Sequence, residues 1–435
     1  MRGIDAALHI WAQVRKGAMV SEALRALGNA VTPADRTLAA SLAYSMTRRL
    51  SLWQMLREKF LLPKPSKFSK HVQTAVLAGA AGLLELRTFA PAALISALVD
   101  WTKARDPRGA RVVNAVLRRV LEQGAGVLKQ LESDGGLEAL CLLSGVPLWA
   151  AERWIDQYGD EIGRALVQQN AEPGALSLRR SPNAPADMAV RLEEAGVAVV
   201  PSPMAESIRV SGTALPSALA GYAEGFLTPQ SESAMAVGKI AADFSGSRLL
   251  DMCAGRGVKT GQIAQLRPDV TVEGWDLSEG RVAAGRRDME RLGVSARVFM
   301  KNGDALLLQP DIAPDAILVD APCSGSGTWR RHPEGKWRLE APSLADLQQL
   351  QLALLLRAFS LVKKGGKVVY STCSLFAEEN ENVAAQALAA SPEIRLTDAA
   401  CPFSLPRSAG SVIMPDNPWT DGFYLAAFTK INETV

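Results

Sequence analysis

Apolar positions recur at helical spacing from residue 4 to about residue 145, in IDAALHIWAQV, SEALRALGNAV, RTLAASLAYSMTRRLSLWQML, VQTAVLAGAAGLLEL, AALISALVDWT and ARVVNAVLRRVLEQ. Residues three and four apart share one face of a helix, so each run predicts an amphipathic helix. Thr32-Pro33, Pro63 to Pro65, Pro91 and Asp106-Pro107 punctuate the runs, and Thr32, Asp35 and Asp106 supply capping oxygens where helices begin. GVPLWAAERWIDQYGDEIGRALVQQNAE continues the helical texture. From about Ala175 the pattern turns to short alternating stretches, ALSLRR, VAVVPSP and SIRVSG, around a helical MAVRLEEAG.

After GFLTPQSESAMAVGKIAADF the chain alternates apolar runs of strand length with helical segments, from RLLDMC to GFYLAAFTK. Such alternation predicts a mostly parallel, doubly wound sheet. The expected organisation is therefore multidomain, α and α/β: an all-helical domain over 1–145, a helical and α+β lead-in over 146–235, and a Rossmann-like doubly wound domain over 236–435.

A length of 435 residues fits two or three domains, and 48% hydrophobic with 21% charged residues is ordinary globular composition. Charge adds an asymmetry to the picture. The net +3 hides 20 Lys and Arg against 11 Asp and Glu in residues 1–145, so the front end is basic and the remainder acidic. A basic module suits an anionic partner, nucleic acid first, although a merely solvated surface has the same composition. The five cysteines form no CxxC pair and the chain holds three histidines, which argues against a zinc site or a disulfide framework. No apolar run reaches membrane-spanning length and the N-terminus lacks a secretory core, so a cytoplasmic monomer working without membrane or metal is expected.

Ligands of doubly wound sheets bind beyond the carboxyl ends of the strands. The residues expected there are Asp251, Asp276, Asp304, Asp320 and Cys373. Behind Asp251 runs DMCAGRGVKTG, where Gly255 and Gly257 let backbone approach a ligand at a helix N-terminus. Asp276 follows at the distance where an acid bonds ribose hydroxyls, which suits a nucleoside-containing cofactor; nicotinamide enzymes and plain structural turns share that pattern. Cys323, in AILVDAPCSGSGT, and Cys373, in KVVYSTCS, each fall just past a buried strand. A lone cysteine is usually core filling; two at equivalent strand ends face one crevice.

DAPCSGSGT (320–328), STCS (371–374), RRHPEGKW (330–337), DGFYLAAF (421–428) and VNAVLRRV (113–120) together resemble the NOL1/NOP2/Sun family of RNA 5-methylcytosine methyltransferases, over nearly the whole chain. The helical front end is similar to the antitermination factor NusB, which binds RNA. The resemblance implies S-adenosylmethionine as cofactor and RNA, 16S ribosomal RNA or a small-subunit assembly intermediate, as partner. It carries Cys373 to the nucleophile that adds to cytosine carbon 6, Cys323 to product release, and Asp320 to the cytosine edge and the methionine end of the cofactor. Cys253, Ala254, Gly255, Arg256, Gly257, Val258 and Lys259 map onto the cofactor loop, with Asp276 at the ribose and Asp304 near the adenine. Lys259 also stands where it can act on a thiol or the substrate, Cys253 reads as packing, and Gln230 lines the site or bonds a loop.

The family loop reads CAAPGGK where this chain has CAGRGVK. If position 258 needs a positive φ, a β-branched residue there costs roughly 1–2 kcal/mol. SLRRSP likewise replaces a short strand ending in asparagine. The competing readings are an RNA-binding assembly factor with an impaired methyltransferase domain, motivated by this loop, and a methyltransferase for DNA or a small molecule. Candidate RNA contacts in the helical domain are Arg48, Arg49, Arg118 and Arg119.

Overall fold

The computed structural model describes residues 3–86, 88–211, 216–341, 343–399, 401 and 404–431. The chain forms two compact units, one of residues 1–173 with 329–338, the other of 174–328 with 339–435. The expected segment 146–235 is thus shared: its helices lie in the first unit and its α+β part in the second.

The first unit is helical: α1 (Gly3–Val14), α2 (Val20–Ala26), α3 (Pro33–Arg48), α4 (Leu50–Phe60), α5 (Lys70–Leu84), α6 (Pro91–Lys103), α7 (Gly109–Asp134), α8 (Leu137–Ser144), α9 (Leu148–Tyr158) and α10 (Asp160–Gln169). The breaker residues act as the sequence suggested. Thr32 Oγ1 accepts from Asp35 N at 3.1 Å with Pro33 in the first helical turn, and Asp106 Oδ1 accepts from Gly109 N at 2.9 Å at the start of α7. The apolar stripes meet in one core holding Ile10, Leu42, Trp53, Leu56, Val76, Leu98, Val113 and Leu117. A fully buried side chain of this size contributes roughly 1.5–3 kcal/mol, so the packed stripes hold these helices more than intrinsic propensity does. The segment 329–338, which holds RRHPEGKW, belongs to this unit: Trp329, just before the motif, packs on Trp154 with ring centroids 5.5 Å apart, and Trp337 Nε1 donates to Thr47 O at 2.6 Å.

The second unit opens with a four-stranded antiparallel sheet, β1 (Leu176–Arg180), β2 (Val199–Val200), β3 (Ser207–Val210) and β4 (Leu227–Pro229) in the order β2-β3-β1-β4, with α11 (Met188–Glu194) beside it. There follow α12 (Glu232–Ala242), β5 (Arg248–Asp251), α13 (Val258–Leu266), β6 (Thr271–Asp276), α14 (Glu279–Arg291), β7 (Val298–Asn302), β8 (Ala316–Asp320), α15 (Ser343–Leu361), β9 (Lys367–Thr372) and α16 (Glu381–Ala389). The last strands are β10 (Ile394–Thr397), β11 (Ser404–Pro406), β12 (Ser411–Ile413) and β13 (Phe423–Lys430). The large sheet runs β11-β12-β13-β9-β8-β5-β6-β7, with β10 also on β13. Strands β5 to β9 are parallel, while β13 is antiparallel to β9.

Alternation of side chains explains the two-sided burial. Leu249, Val272, Leu318 and Val369 pack with Ile263, Val282 and Met289 of α13 and α14 on one face. Leu250, Ile317, Val319, Val368 and Tyr370 pack with Leu355, Phe359 and Val383 of α15 and α16 on the other. Sequence order reverses between β5 and β8, so the crevice of this sheet opens beside Asp251 and Asp320, which end those strands.

Candidate active site

Register brings the predicted strand ends to one edge of the sheet, with Asp251 two residues short of Asp276 and Asp320. Asp251 of β5 pairs across to Leu318 of β8 and Gly274 of β6, Asp276 pairs with Asn302, and Asp320 with Ser371. Beyond β8 and β9 the two cysteine loops meet: Cys323 Sγ lies 3.3 Å from Cys373 Sγ. The hydrogen bond to Cys373 and then burial push the Cys323 thiol well above its usual range, and either sulfur can donate across the contact.

Asp320 accepts from Lys259 Nζ at 2.6 Å through Oδ2 and from Ser371 Oγ at 2.7 Å through Oδ1. Burial opposes the charge of Lys259, but Asp320 outweighs it, with a further contribution from Cys373, and the ammonium is held above its ordinary range. Its Nζ also lies 5.0 Å from the Phe423 ring centre. A positive charge held by the acid therefore acts on the Cys373 sulfur as well.

Two loops this close need an anchor, and sequence reasoning missed it. Glu379, fully buried, accepts from Ser324 N at 2.8 Å and from Gln351 Nε2 at 2.9 Å through Oε1, and from the Ser324 and Ser374 hydroxyls through Oε2. Gln351 Nε2 reaches Pro322 O at 2.9 Å as well, and Leu375 N donates to Ser326 Oγ at 2.8 Å. One carboxylate thus pins the residues that follow both cysteines. The available signal was the serine after each cysteine, in CSGSG and STCS.

On the other side, Gly255 (φ +58°) and Gly257 (φ +76°) take the left-handed conformations of the CAGRGVK loop, while among the described residues every non-glycine φ is negative. Val258 is the first residue of α13, so the strain considered for position 258 does not arise: the bend is carried by the glycines before it. Arg256 points outward, its guanidinium 4.0 Å from Asp288 and 46% exposed. Gly255 N donates to Asp276 Oδ2 at 3.0 Å and Ser278 N to Oδ1 at 2.8 Å, which ties Asp276 to the loop. Asp304 stays exposed, capping its own turn by accepting from Leu306 N at 2.9 Å. Cys253 packs, as expected, its thiol raised first by burial and then by Asp251, and Ala254 N is bonded to Trp275 O.

Gln230 does not line the crevice. It accepts from Arg179 Nη1 at 2.7 Å and donates to Gln262 Oε1 at 2.6 Å in a buried network. Arg179, 3% exposed, also reaches Val258 O and Gln265 Oε1 at 3.2 and 3.1 Å, joining β1 to the start of α13. Of the basic residues singled out in the helical unit, Arg48 is buried and lies over the Tyr44 ring. Arg49 faces Glu85 at 3.8 Å and Arg119 donates to Phe60 O at 3.2 Å. Arg118, beside Asn114, and Arg119 are both exposed. Among the described residues no helix is long and apolar enough to cross a membrane, and no cluster of His, Cys, Asp and Glu is arranged to hold a metal.

Fold and site together define a Rossmann-like methyltransferase joined to a NusB-like helical domain. Residues 242–429 match the family described as 16S rRNA methyltransferase RsmB/F, and residues 5–122 match the NusB family. The ribosomal RNA small subunit methyltransferase B of Klebsiella pneumoniae is 30% identical over 423 residues, covering 96% of this chain and 95% of the relative. The protein of that name from Salmonella paratyphi B is 29% identical, with 96% of both chains covered. The chain belongs to the RsmB/F family. Among solved structures, PH0851 shares the fold at TM-score 0.83 and 24% identity over 98% of both chains. A methyltransferase homologue from Pyrococcus horikoshii reaches TM-score 0.58 at 26% identity over 68% of this chain and 99% of that one. NSun6 from the same organism, solved with SFG, reaches 0.58 at 19% identity over 66% and 99%.

Proposed function

We propose that this protein transfers a methyl group from S-adenosylmethionine to carbon 5 of a cytosine in RNA, the 16S ribosomal RNA, through a covalent adduct at carbon 6. The observation that carries the reading is the sulfur pair, Cys323 and Cys373 3.3 Å apart beside an aspartate held by Lys259.

The residues present fit a nucleoside-bearing cofactor. A side chain at Gly255 would meet open space, Asp276 stands at the end of β6, and the large apolar Leu277 and Leu307 are 76% and 78% exposed where a purine needs cover. Asp276 and Asp304 would hold the ribose and adenine, and the loop from Cys253 to Lys259 with Asp320 the methionine end. When bound, S-adenosylmethionine supplies an electrophilic methyl on a sulfonium.

Carbon 5 of cytosine is a poor nucleophile until a thiolate adds to carbon 6 and pushes an electron pair toward it. Cys373 gives its own proton to solvent, the one proton the overall methyl transfer releases, and its thiolate makes that bond with the Lys259 ammonium and the Cys323 thiol acting on its sulfur. Asp320 keeps lone pairs beyond those used by Lys259 and Ser371, and receives the cytosine amidine edge as charge develops on the ring. Release requires loss of the carbon 5 proton and expulsion of the sulfur. Cys323 passes its own proton to the departing Cys373 sulfur and takes the carbon 5 proton in exchange, so both thiols are restored.

The test uses tritiated cofactor and ribosomal RNA. Cys373→Ala loses both turnover and adduct; Cys323→Ala accumulates a denaturant-resistant protein–RNA species carrying label. Unchanged turnover in both variants rules the mechanism out, and bisulfite mapping of RNA from cells with and without the gene identifies the cytosine. The unstrained loop at Val258 removes the motive for an impaired cofactor site.

A further inference from the structure

Cys323 Sγ and Cys373 Sγ stand 3.3 Å apart, against about 2.05 Å in a disulfide, so bonding them takes about 1.3 Å of approach. Folding has already brought the two loops together for it. Strands β8 and β9 pair Asp320 with Ser371, Gly327 N donates to Cys373 O at 2.9 Å, and the hydroxyls of Ser324 and Ser374 meet at 3.1 Å on the Glu379 carboxylate. None of these bonds ends on a sulfur, so both thiols can turn about their own Cα–Cβ bonds while the clamp holds. Both cysteines are half-buried, within reach of a molecule as small as a peroxide, whereas Cys141 and Cys401 are buried.

We propose that a peroxide joins Cys323 and Cys373 in a reversible disulfide that switches methyl transfer off. Cys373 reacts first, since the Lys259 charge acts on its sulfur. Its thiolate, the proton gone to solvent, takes one oxygen from the peroxide; the O–O bond breaks, the other oxygen leaves as hydroxide, and Cys373 becomes a sulfenic acid. The Cys323 sulfur then attacks that sulfur, the S–O bond breaks, and the departing hydroxide leaves as water with the Cys323 proton. Two thiols are oxidised and one peroxide is reduced to two waters. The second step is intramolecular, so it outruns a second peroxide, and Cys373 is spared the sulfinic acid from which a dithiol cannot recover it. The bond rests on geometry alone; the loss of turnover rests on the reading of Cys373 as the nucleophile.

The test treats the reduced full chain with hydrogen peroxide and follows intact mass, peptide mapping without reductant and methyl transfer to ribosomal RNA, with the fold checked by circular dichroism. The mass should fall by two hydrogens, the bond should map to Cys323 and Cys373, and turnover should drop about ten-fold or more, since a sulfur in a disulfide adds to no carbon. Dithiothreitol should restore mass and turnover. In Cys323→Ala no such bond forms, and Cys373 should gain two oxygens that dithiothreitol does not remove. If the parent instead gains oxygens on Cys373 with no bond to Cys323, or pairs other cysteines, the inference falls and the methyltransferase reading stands. If the bond forms and turnover is unchanged, Cys373 is not the nucleophile, and both fall.

Discussion

Lys259 Nζ lies 2.6 Å from Asp320 Oδ2 with the lysine side chain 11% and the aspartate 29% exposed, so the acid proposed to face the base is also the counter-ion of the cofactor loop. Removing either partner leaves a charge in poor solvent. Asp320→Asn and Lys259→Met should each cost about 1–3 kcal/mol of stability, below the 3–5 of a fully buried pair because Asp320 still meets water. The double variant should cost less than the two losses combined, by about 0.5 kcal/mol or more, in a urea double-mutant cycle. Additive losses would mean the pair is not coupled.

Glu379 offers a second handle, because it touches both cysteine loops without touching either sulfur in the bonds described. Glu379→Gln replaces an oxygen that accepts from two hydroxyls with an amide that cannot, stranding buried donors at about 1–3 kcal/mol. The loss should reach catalysis through geometry: kcat falls and the Cys323–Cys373 spacing loosens, while cofactor affinity holds. Single-turnover kinetics beside cofactor titration separate the two, and a loss of cofactor affinity alone would place Glu379 elsewhere in the mechanism.

How much of this was legible in the sequence depends on range. AILVD and VTVEGWD show an acid ending a buried strand, and that local pattern placed Asp276 and Asp320 correctly. Both cysteines followed for the same reason. Glu379 was invisible because its bonds to Ser324 and Gln351 span 55 and 28 residues with no periodic signal. The pair Arg48-Arg49 looked like a surface patch, since helical period reports one apolar stripe and is silent on a second neighbour covering the polar side. Trp329 directly follows the DAPCSGSGT motif in sequence, yet it packs on Trp154 of the helical unit, which only tertiary packing decides.

Asp251 makes stability depend on pH in an unusual direction. Burial, followed by opposing and reinforcing neighbours, pushes its carboxyl up to about 7, against about 3.9 unfolded. Between these values the folded state holds a proton that the unfolded chain has released, so this contribution is complete below pH 4 and lost as pH rises toward 7. Asp251→Asn cannot titrate. The variant should therefore gain on the parent by ~3 kcal/mol between pH 5 and pH 8, at about 1.36 kcal/mol per unit. Chemical denaturation at the two pH values gives the difference, and a constant gap would show that Asp251 is ionised throughout.

Val258 is where the loop leaves its family pattern, and the structure reverses the expectation attached to it. The left-handed turns belong to Gly255 and Gly257, and Val258 begins α13 with ordinary backbone. Its carbonyl accepts from Arg179, whose guanidinium is buried and shared with Gln230 and Gln265. Restoring glycine by Val258→Gly therefore relieves nothing. It adds backbone freedom to the unfolded chain and lowers helix propensity, so stability should fall by about 0.5–1 kcal/mol. Arg179→Met should cost more, about 2–4 kcal/mol, because it leaves several buried acceptors unmet at once. Cofactor titration decides what the network does for the site. If Arg179 holds the loop in place, Arg179→Met weakens cofactor binding in folded protein and Arg179→Lys recovers only part of it, since an ammonium cannot fork to acceptors on β4, α13 and Gln230 together. Equal affinity in all three proteins would confine Arg179 to stability.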